Sequence, residues 1–520
     1  MDQRQEAIPF AAQAEAGTTP QSWSSSPWKE RAGEDATGNL VFHSLASLLQ
    51  LMPNSQHPNG HTIARAVIPK GTLLYHGTYI GGCPSMDWAS LDLDHALMFA
   101  FGINGSLLTY TATRDIWLVY FDGCSANKHA GVVDTQDLLI WGEPGRGRGD
   151  NAKDRLAEDM SRLPAGCAWA KDHGIDGFLR MEFDFEIMYC DFEQGLKLVS
   201  YMPTVNRLSD LDPAKPPVPL PPQGPRVQCS SEATFHGLSQ PEFAGEYHWV
   251  TAQAPLDDPP ISYPRGWKGA FPDTELEAFH TGIWHNQFPG EFRVRIDPSS
   301  VISLFDPSLT SLVEARRSMT RDEYRAANLS KADVARVRAE IAEVMAREPG
   351  AGSGVDWQTL ARVIQDRFAD RLPYMQHLLH QPVFNVTAQL AKVRKQLITS
   401  LIPSMHRENV GAREWFAETA HRCAARFTEH LPREGFTKQE WVLLHAVEEV
   451  LHEVCRVYME AWVEAFDAEA KSVVVVQALL KKWKGEFDAL VDWLDWPVWI
   501  KCDPTCGVDV SIAFYLTNAR

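Results

Sequence analysis

Apolar residues along this chain change their spacing more than once, and each change predicts a different kind of structure. Between Asn39 and about Pro203 the runs are short and mixed. Leu107–Thr111, Ile116–Phe121 and Leu138–Trp141 are β-branched or aromatic stretches bounded by turn residues, which predicts strands. Thr72–Tyr75 is a shorter apolar run that leads into a glycine turn. Asp92–Phe101 and Lys153–His173 carry apolar residues three and four apart, as half-buried helices do, and Gly174 is placed to end the second. Phe178–Tyr189 and Leu196–Met202 return to strand character, joined by Glu193-Gln-Gly195. This is the pattern of an α+β domain over residues 39–205.

The remainder reads differently. Asp212–Pro225 is so dense in proline that neither a helix nor a central strand fits, which predicts a linker over 206–229. Residues 230–310 form a small, mixed, aromatic-rich module with candidate strands at Tyr247–Val250 and Phe292–Asp297. From 311 to 500 the spacing is helical, and Glu418–Phe427, Trp441–Phe466 and Leu479–Leu494 carry apolar stripes suited to a helical bundle. Thr320-Arg-Asp-Glu323 has the form of a capping box, and Ser330-Lys-Ala-Asp333 an Asp-containing version of it. Residues 1–38 are polar and of low complexity, a flexible leader, and 501–520 form a tail containing Cys502 and Cys506.

Charge narrows the function classes. With 49 Lys and Arg against 67 Asp and Glu, the formal charge of −18 argues against attraction to nucleic-acid phosphates. No segment reaches the roughly 18 apolar residues of a membrane span, and the first residues lack a basic stretch leading into an apolar one, so the chain as given reads as cytoplasmic. The 9 cysteines are scattered, and the expectation is buried free thiols for at least seven of them.

Candidate chemistry gathers in two stretches. His76-Gly77-Thr78 puts an imidazole and a flexible backbone at a strand end, followed by Asp87-Trp88-Ala89-Ser90. A hundred residues later, Glu182, Asp184 and Glu186 alternate, which predicts three carboxylates on one strand face. Crowded like charges raise at least one carboxyl pKa, and a preorganised carboxylate stabilises a developing cation. Glu143 is a further acid at a predicted strand end. Glu418-Thr-Ala-His421 and Glu449-Val-Leu-His452 repeat a Glu-x-x-His pattern, but they lie too close together for a di-iron bundle, and solvated helix faces explain them.

In this order, Gly71–Thr78, Asp87–Ala100 and Arg180–Asp191 with Leu196-Lys197-Leu198 resemble the NAD-binding core of ADP-ribosyltransferases of the diphtheria-toxin and poly(ADP-ribose) polymerase type. The resemblance implies an N-terminal ADP-ribosyltransferase-like mixed β domain with a mainly helical C-terminal region. It implies that His76, Gly77 and Thr78 position NAD, that Trp88 and Ser90 line the nicotinamide pocket, and that Glu186 stabilises the transition state. Asp87 stands where that family has its stacking Tyr. ADP-ribose would pass to a protein, a small molecule or water. A non-catalytic binding module, or a helical interaction protein, is the alternative.

A wider likeness covers Asn59–His61 through Gly71–Gly77, Tyr120–Ala126, Asp134–Leu139, Gly174–Phe178 and Trp496–Cys506, which are similar to an uncharacterised filamentous-fungal protein family. Some members of that family look to begin with an apolar anchor, so secretion or anchoring stays open beside the cytoplasmic reading.

Overall fold

The computed structural model describes residues 27–100, 105–146, 152–204 and 282–500. Most of the expected leader, the whole proline-rich linker, the candidate strand at 247–250 and the tail with Cys502 and Cys506 lie outside the described residues.

A twisted mixed sheet organises the fold. Its strands are β1 (Thr62–Ile68), β2 (Leu73–Thr78), β3 (Asp87–Ser90), β4 (Ser106–Ala112), β5 (Ile116–Phe121), β6 (Gly177–Met181), β7 (Phe185–Tyr189), β8 (Leu196–Pro203), β9 (Arg295–Ile296) and β10 (Ile302–Ser303). They run across the sheet in the order β10-β1-β5-β6-β7-β3-β2-β4-β8, with β9 also paired to β1. The β5–β6 pair is parallel, and its crossover carries α4 (Asp134–Trp141) and α5 (Ala152–Lys171). The other pairs are antiparallel. Near the chain start lie α1 (Gly38–Ala46) and α2 (Leu51–Gln56), and α3 (Leu93–Leu97) follows β3.

Both sheet faces are buried, which explains the continuous apolar run of β5 and the full burial of β7, Glu186 included. One face packs on α4 and α5, and on α6 (Thr310–Arg316) and α7 (Lys331–Ala346), through Val119, Phe121, Phe178, Met188, Leu139, Leu163, Leu312 and Ile341. The other carries Ala64, Leu74, Leu108, Leu118, Leu179 and Ile187 into a core shared with the C-terminal helices. These are α8 (Trp357–Phe368), α9 (Arg371–His380), α10 (Val386–Leu401), α11 (Trp415–Ala425), α12 (Lys438–Ala465) and α13 (Val473–Leu494). Thr437 opens α12 with a capping box closed by Glu440, and Ser330 caps α7 as the sequence predicts.

The two halves therefore do not stand apart. Strands β9 and β10, from beyond the linker, pair with β1, and α1 buries Leu40, Val41, Phe42 and Leu45 in the same core as α12. Truncating a buried phenylalanine such as Phe42 costs about 3–5 kcal/mol, so a domain ending at 205 would lose much of its packing. The expected boundary between 39–205 and the later segments is a break in sequence character only.

Other expectations are corrected as well. Leu138–Trp141 is the end of helix α4, not a strand, and Gly142 stops it at φ 72°. Glu143 accordingly follows a helix. The capping box at Thr320 forms on a single 3-10 turn. Free thiols are not the rule: Cys167 pairs with Cys190 and Cys423 with Cys455, and Cys83 is also disulfide-bonded. Cys124 is buried and free, its thiol pushed up to about 12 by burial.

Candidate functional site

Register decides which of the predicted residues meet. Residues directly opposite on paired strands point to the same face. Tyr75 lies opposite Ser90, Ser90 opposite Glu186, and Glu186 opposite Arg180, so these four share the face that packs on α3, α4 and α5. His76 is one position along and points the other way, with Leu74 and opposite Leu108. His76 and Glu186 thus occupy opposite faces of the sheet. The common cleft expected for them is not formed.

The surroundings of His76 account for it structurally. Its Nδ1 donates to the Trp88 carbonyl at 2.7 Å, its ring packs edge-on against Phe192, and its Nε2 lies 3.9 Å from Asp87. Burial raises the Asp87 carboxyl, with His76 acting in the opposite direction. Gly77 is glycine because α3 presses on it: a Cβ there would sit 1.9 Å from the Ala96 carbonyl oxygen. Thr78 is buried, and its Oγ1 accepts from the Ile80 amide at 3.4 Å. Trp88, on the Glu186 face, packs at the edge of the α4–α5 core opposite Met188. The Ser90 hydroxyl donates to the Asp92 carbonyl at 2.9 Å, setting the turn into α3, whose N-terminus Asp92 caps.

Glu186 sits in a buried ion-pair chain. Arg180, without exposed surface, reaches Asp159 of α5 at 2.7 and 3.1 Å, Gln136 of α4 at 3.2 Å, and Glu186 Oε1 through both Nε, at 3.1 Å, and Nη2. Arg162 extends the chain to Asp137 at 2.8 Å. Burial would raise Asp159, but the charge and hydrogen bonds of Arg180 outweigh it and hold its carboxyl below the ordinary range. Among the described residues nothing hydrogen-bonds Glu186 Oε2. One carboxylate oxygen is clamped and the other is left over.

The three neighbouring acids are parted, not stacked. A tight turn between β6 and β7, closed by the Glu182 amide on the Asp184 carbonyl at 3.0 Å, interrupts the expected strand. Asp184 turns to His285 at 3.0 Å, whereas Glu182 faces Lys128 at 3.9 Å. Burial raises the Glu182 carboxyl, Lys128 opposes that, and Glu186 adds to it. His95 leans on Phe183 with ring centroids 4.5 Å apart, and its buried Nδ1 has no hydrogen-bond partner among the described residues. Glu182, one of the three alternating acids expected on this face, is thus coupled by charge to both Glu186 and His95. His95 carried no spacing signal.

The Glu449-Val-Leu-His452 segment holds residues 30–38, whereas Glu418 of the first Glu-x-x-His accepts from Asn409 Nδ2. Glu449 Oε1 accepts from the Gly38 amide at 2.9 Å, His452 Nε2 meets the Glu30 carbonyl at 2.7 Å, and Glu448 pairs with Arg433 at 2.7 Å.

Residues 100–217, which include the whole Glu186 ion-pair chain, match the family described as the YPL277C N-terminal domain. Two proteins of Saccharomyces cerevisiae are similar to this chain. The uncharacterized protein YOR389W is 32% identical over 214 residues, which cover 32% of this chain and 33% of the yeast protein. The uncharacterized protein YPL277C is 32% identical over 215 residues, covering 32% of this chain and 43% of the yeast one. The chain thus spans less than half the length of either relative. Over this part it is similar to uncharacterised fungal proteins, and neither name carries an activity. No solved structure matches.

Proposed function

We propose that the protein breaks the nicotinamide–ribose bond of NAD, as an ADP-ribosyltransferase or NAD glycohydrolase, at the sheet face that carries Glu186. The observation that carries this reading is the divided carboxylate: Arg180 fixes Oε1, and Oε2 is held ready without a partner among the described residues. A carboxylate so oriented is suited to accept a hydrogen bond from the ribose 2′-hydroxyl and to stabilise the oxocarbenium ion that forms as the C1′–N bond breaks. Nicotinamide leaves neutral with the bonding electron pair. The acceptor oxygen forms the new bond to C1′, and its proton passes to Glu182, whose carboxyl pKa is raised by burial, with Lys128 opposing and Glu186 adding to it. His76, Gly77 and Thr78 support the fold in this assignment and do not touch the reacting atoms.

The test is release of free nicotinamide from NAD by the full chain, followed chromatographically. Glu186→Gln should lower turnover by about 10² or more and leave NAD affinity nearly unchanged, since the lost interaction belongs to the transition state. His76→Ala should lower stability and spare turnover per folded molecule. Absence of any release by the wild-type chain overturns the proposal. One observation favours a second reading, a non-catalytic binding module: Arg180 already neutralises the Glu186 charge. NAD binding by calorimetry without release would select it. The paired cysteines favour an oxidising compartment over the cytoplasm for either activity. No helix among the described residues is long and apolar enough to cross a membrane.

A further inference from the structure

A second polar cluster lies well away from Glu186, where the sheet, the chain start and the last helix meet. His43 comes from α1, His57 from the segment after α2, Asp322 from the 3-10 turn Arg321–Glu323, and Asp495 from the residue that ends α13. His43, His57 and Asp322 line a small cleft of about 30 Å³, room for an ion or a water but not for an organic substrate, and Asp495 borders it through His57. Asp495 adopts φ +42°, a left-handed conformation that an Asp tolerates better than most residues, and this turns its carboxylate back toward His57.

Two ring nitrogens in the cleft are unused. His43 is 4% exposed, and its Nε2 has no hydrogen-bond partner among the described residues, while Ser47 Oγ lies 3.4 Å from its Nδ1. His57 Nε2 is engaged by Asp495 Oδ2 at 2.9 Å, which leaves Nδ1 as the lone-pair nitrogen. That Nδ1 is buried without a hydrogen bond and lies 3.7 Å from Asp322 Oδ1. The two rings stand edge to face, 5.3 Å between centroids. One donor atom each from His43, His57 and Asp495 lie within 4.8 Å of one another.

We propose that His43, His57 and Asp495, with Asp322 alongside, form a binding site for a divalent transition-metal ion of the zinc class. Imidazole nitrogens with carboxylate oxygens are the donor set such ions take. One nitrogen each of His43 and His57 and a carboxylate oxygen of Asp495 are the donors that come together, with Asp322 Oδ1 3.7 Å from His57 Nδ1. The Asp495 contact to His57 at 2.9 Å also orients that ring, as carboxylate partners do at metal-bound histidines. The unpartnered imidazole nitrogens and the nearby carboxylate offer lone pairs to a cation, which a phosphate would not use. Arg321 donates to the same Asp495 oxygen. Its guanidinium is the competing cation, and an arriving dication draws on the carboxylate charge that Arg321 now shares.

The test uses the full chain, stripped with a chelator and dialysed, then titrated with Zn²⁺ by calorimetry and with Co²⁺ by visible absorption. One ion per chain is expected, with Co²⁺ bands of low coordination number. Asp495→Asn should weaken binding by about 10–100-fold, the His43→Gln/His57→Gln pair should abolish the stoichiometric site, and Arg321→Met should tighten it. X-ray absorption of the zinc-loaded wild-type chain should show two imidazole nitrogens, a readout that does not depend on any variant folding. Zinc bound without imidazole ligands, no stoichiometric binding, or unchanged affinity in a folded double variant would each overturn the site. None of these outcomes bears on nicotinamide release, so this proposal and the NAD reading fail separately.

Discussion

Replacing Arg180 by Met should be among the most destabilising changes on the sheet. Arg180 has no exposed surface and faces Asp159 and Glu186, whose side chains are 2% and 9% exposed. Met fills a similar volume but leaves two interior carboxylates with only Arg162, 3.6 Å from Asp159, and the charge of Lys128 to oppose them. Breaking a buried pair from one side costs about 3–5 kcal/mol, because the remaining charge keeps its desolvation penalty. Glu186→Gln is milder: Arg180 keeps both bonds to Asp159, and the amide oxygen still accepts, so about 1–2 kcal/mol is expected. In the Arg180→Met background the same change should be neutral or stabilising, since it removes one of the stranded charges. The cycle should therefore show a coupling of about 2 kcal/mol. Urea unfolding at pH 7, followed by tryptophan fluorescence, measures all four proteins. The pH dependence has a definite sign. In the native chain Asp159 is held below its ordinary pKa, so its contribution is present above that pKa and is lost as pH falls through the lowered value. Acidification should thus narrow the gap between wild type and Arg180→Met. A cost under about 1 kcal/mol for Arg180→Met, or an equal Glu186→Gln cost in both backgrounds, would refute the view that this chain of charges is one buried network.

Three further outcomes follow from the same contacts. A protease nick between Pro213 and Pro225 should leave the two pieces associated on size exclusion, and the piece ending before the nick, expressed alone, should aggregate. A soluble, folded N-terminal piece would refute the shared core. His285 is pushed down by burial, but the Asp184 hydrogen bond and charge, joined by Glu291, raise its pKa overall. Its stabilisation is then complete below the ordinary histidine pKa and is lost as pH rises through the raised one, so His285→Gln should cost more at pH 5.5 than at pH 8.5, and a cost that grows with pH would refute the pairing. Reduction of Cys423–Cys455, which links α11 to α12 across 32 residues, should lower stability by about 3–4 kcal/mol; an unchanged urea midpoint for the Cys423→Ser/Cys455→Ser variant speaks against a closed bridge.

Sequence reading reached the long elements and stopped where pairing begins. Strands β4, β5 and β8 and helices α5, α11, α12 and α13 were legible because each is long enough to display its period. Strand β9 falls inside the expected strand Phe292–Asp297, but β10 spans two residues and displays no period, so the sheet's far edge was invisible. Leu138–Trp141 is an apolar run too short to separate a buried helix end from a strand, and Gly142 was the neglected stop signal. The His76 misplacement has a sharper cause. A one-residue offset exchanges sheet faces, and sequence alone did not say that Tyr75, not His76, lies opposite Ser90. Cysteine pairing is likewise a matter of spatial approach, which spacing does not reveal. His43, His57, Asp322 and Asp495 are so far apart in sequence that no motif could join them.

What unites these misses is that the chain closes on itself. The sheet starts at β1 and takes its last two strands from residues 295–303, while the chain start lies between α12 and α13, where Arg31 meets Glu486 at 3.0 Å and Asn39 reaches the Trp493 carbonyl at 2.6 Å. The described residues before and after the proline-rich stretch thus belong to one body. Each polar cluster sits at a different level of that closure. The Glu186 chain is built from α4, α5, β6 and β7, residues 136–186, a local unit inside the stretch 100–217 that matches the family model. The His43 cleft draws on four remote segments and exists only when the chain start, the 321–323 turn and the end of α13 have come together. A ligand that binds only the closed form stabilises it by mass action, so occupancy of the cleft is coupled to assembly of the whole molecule, whereas the Glu186 face depends on assembly only through the packing behind it. Chemistry confined to residues 100–217 would point to the first cluster, and any behaviour that demands the full chain would point to the second.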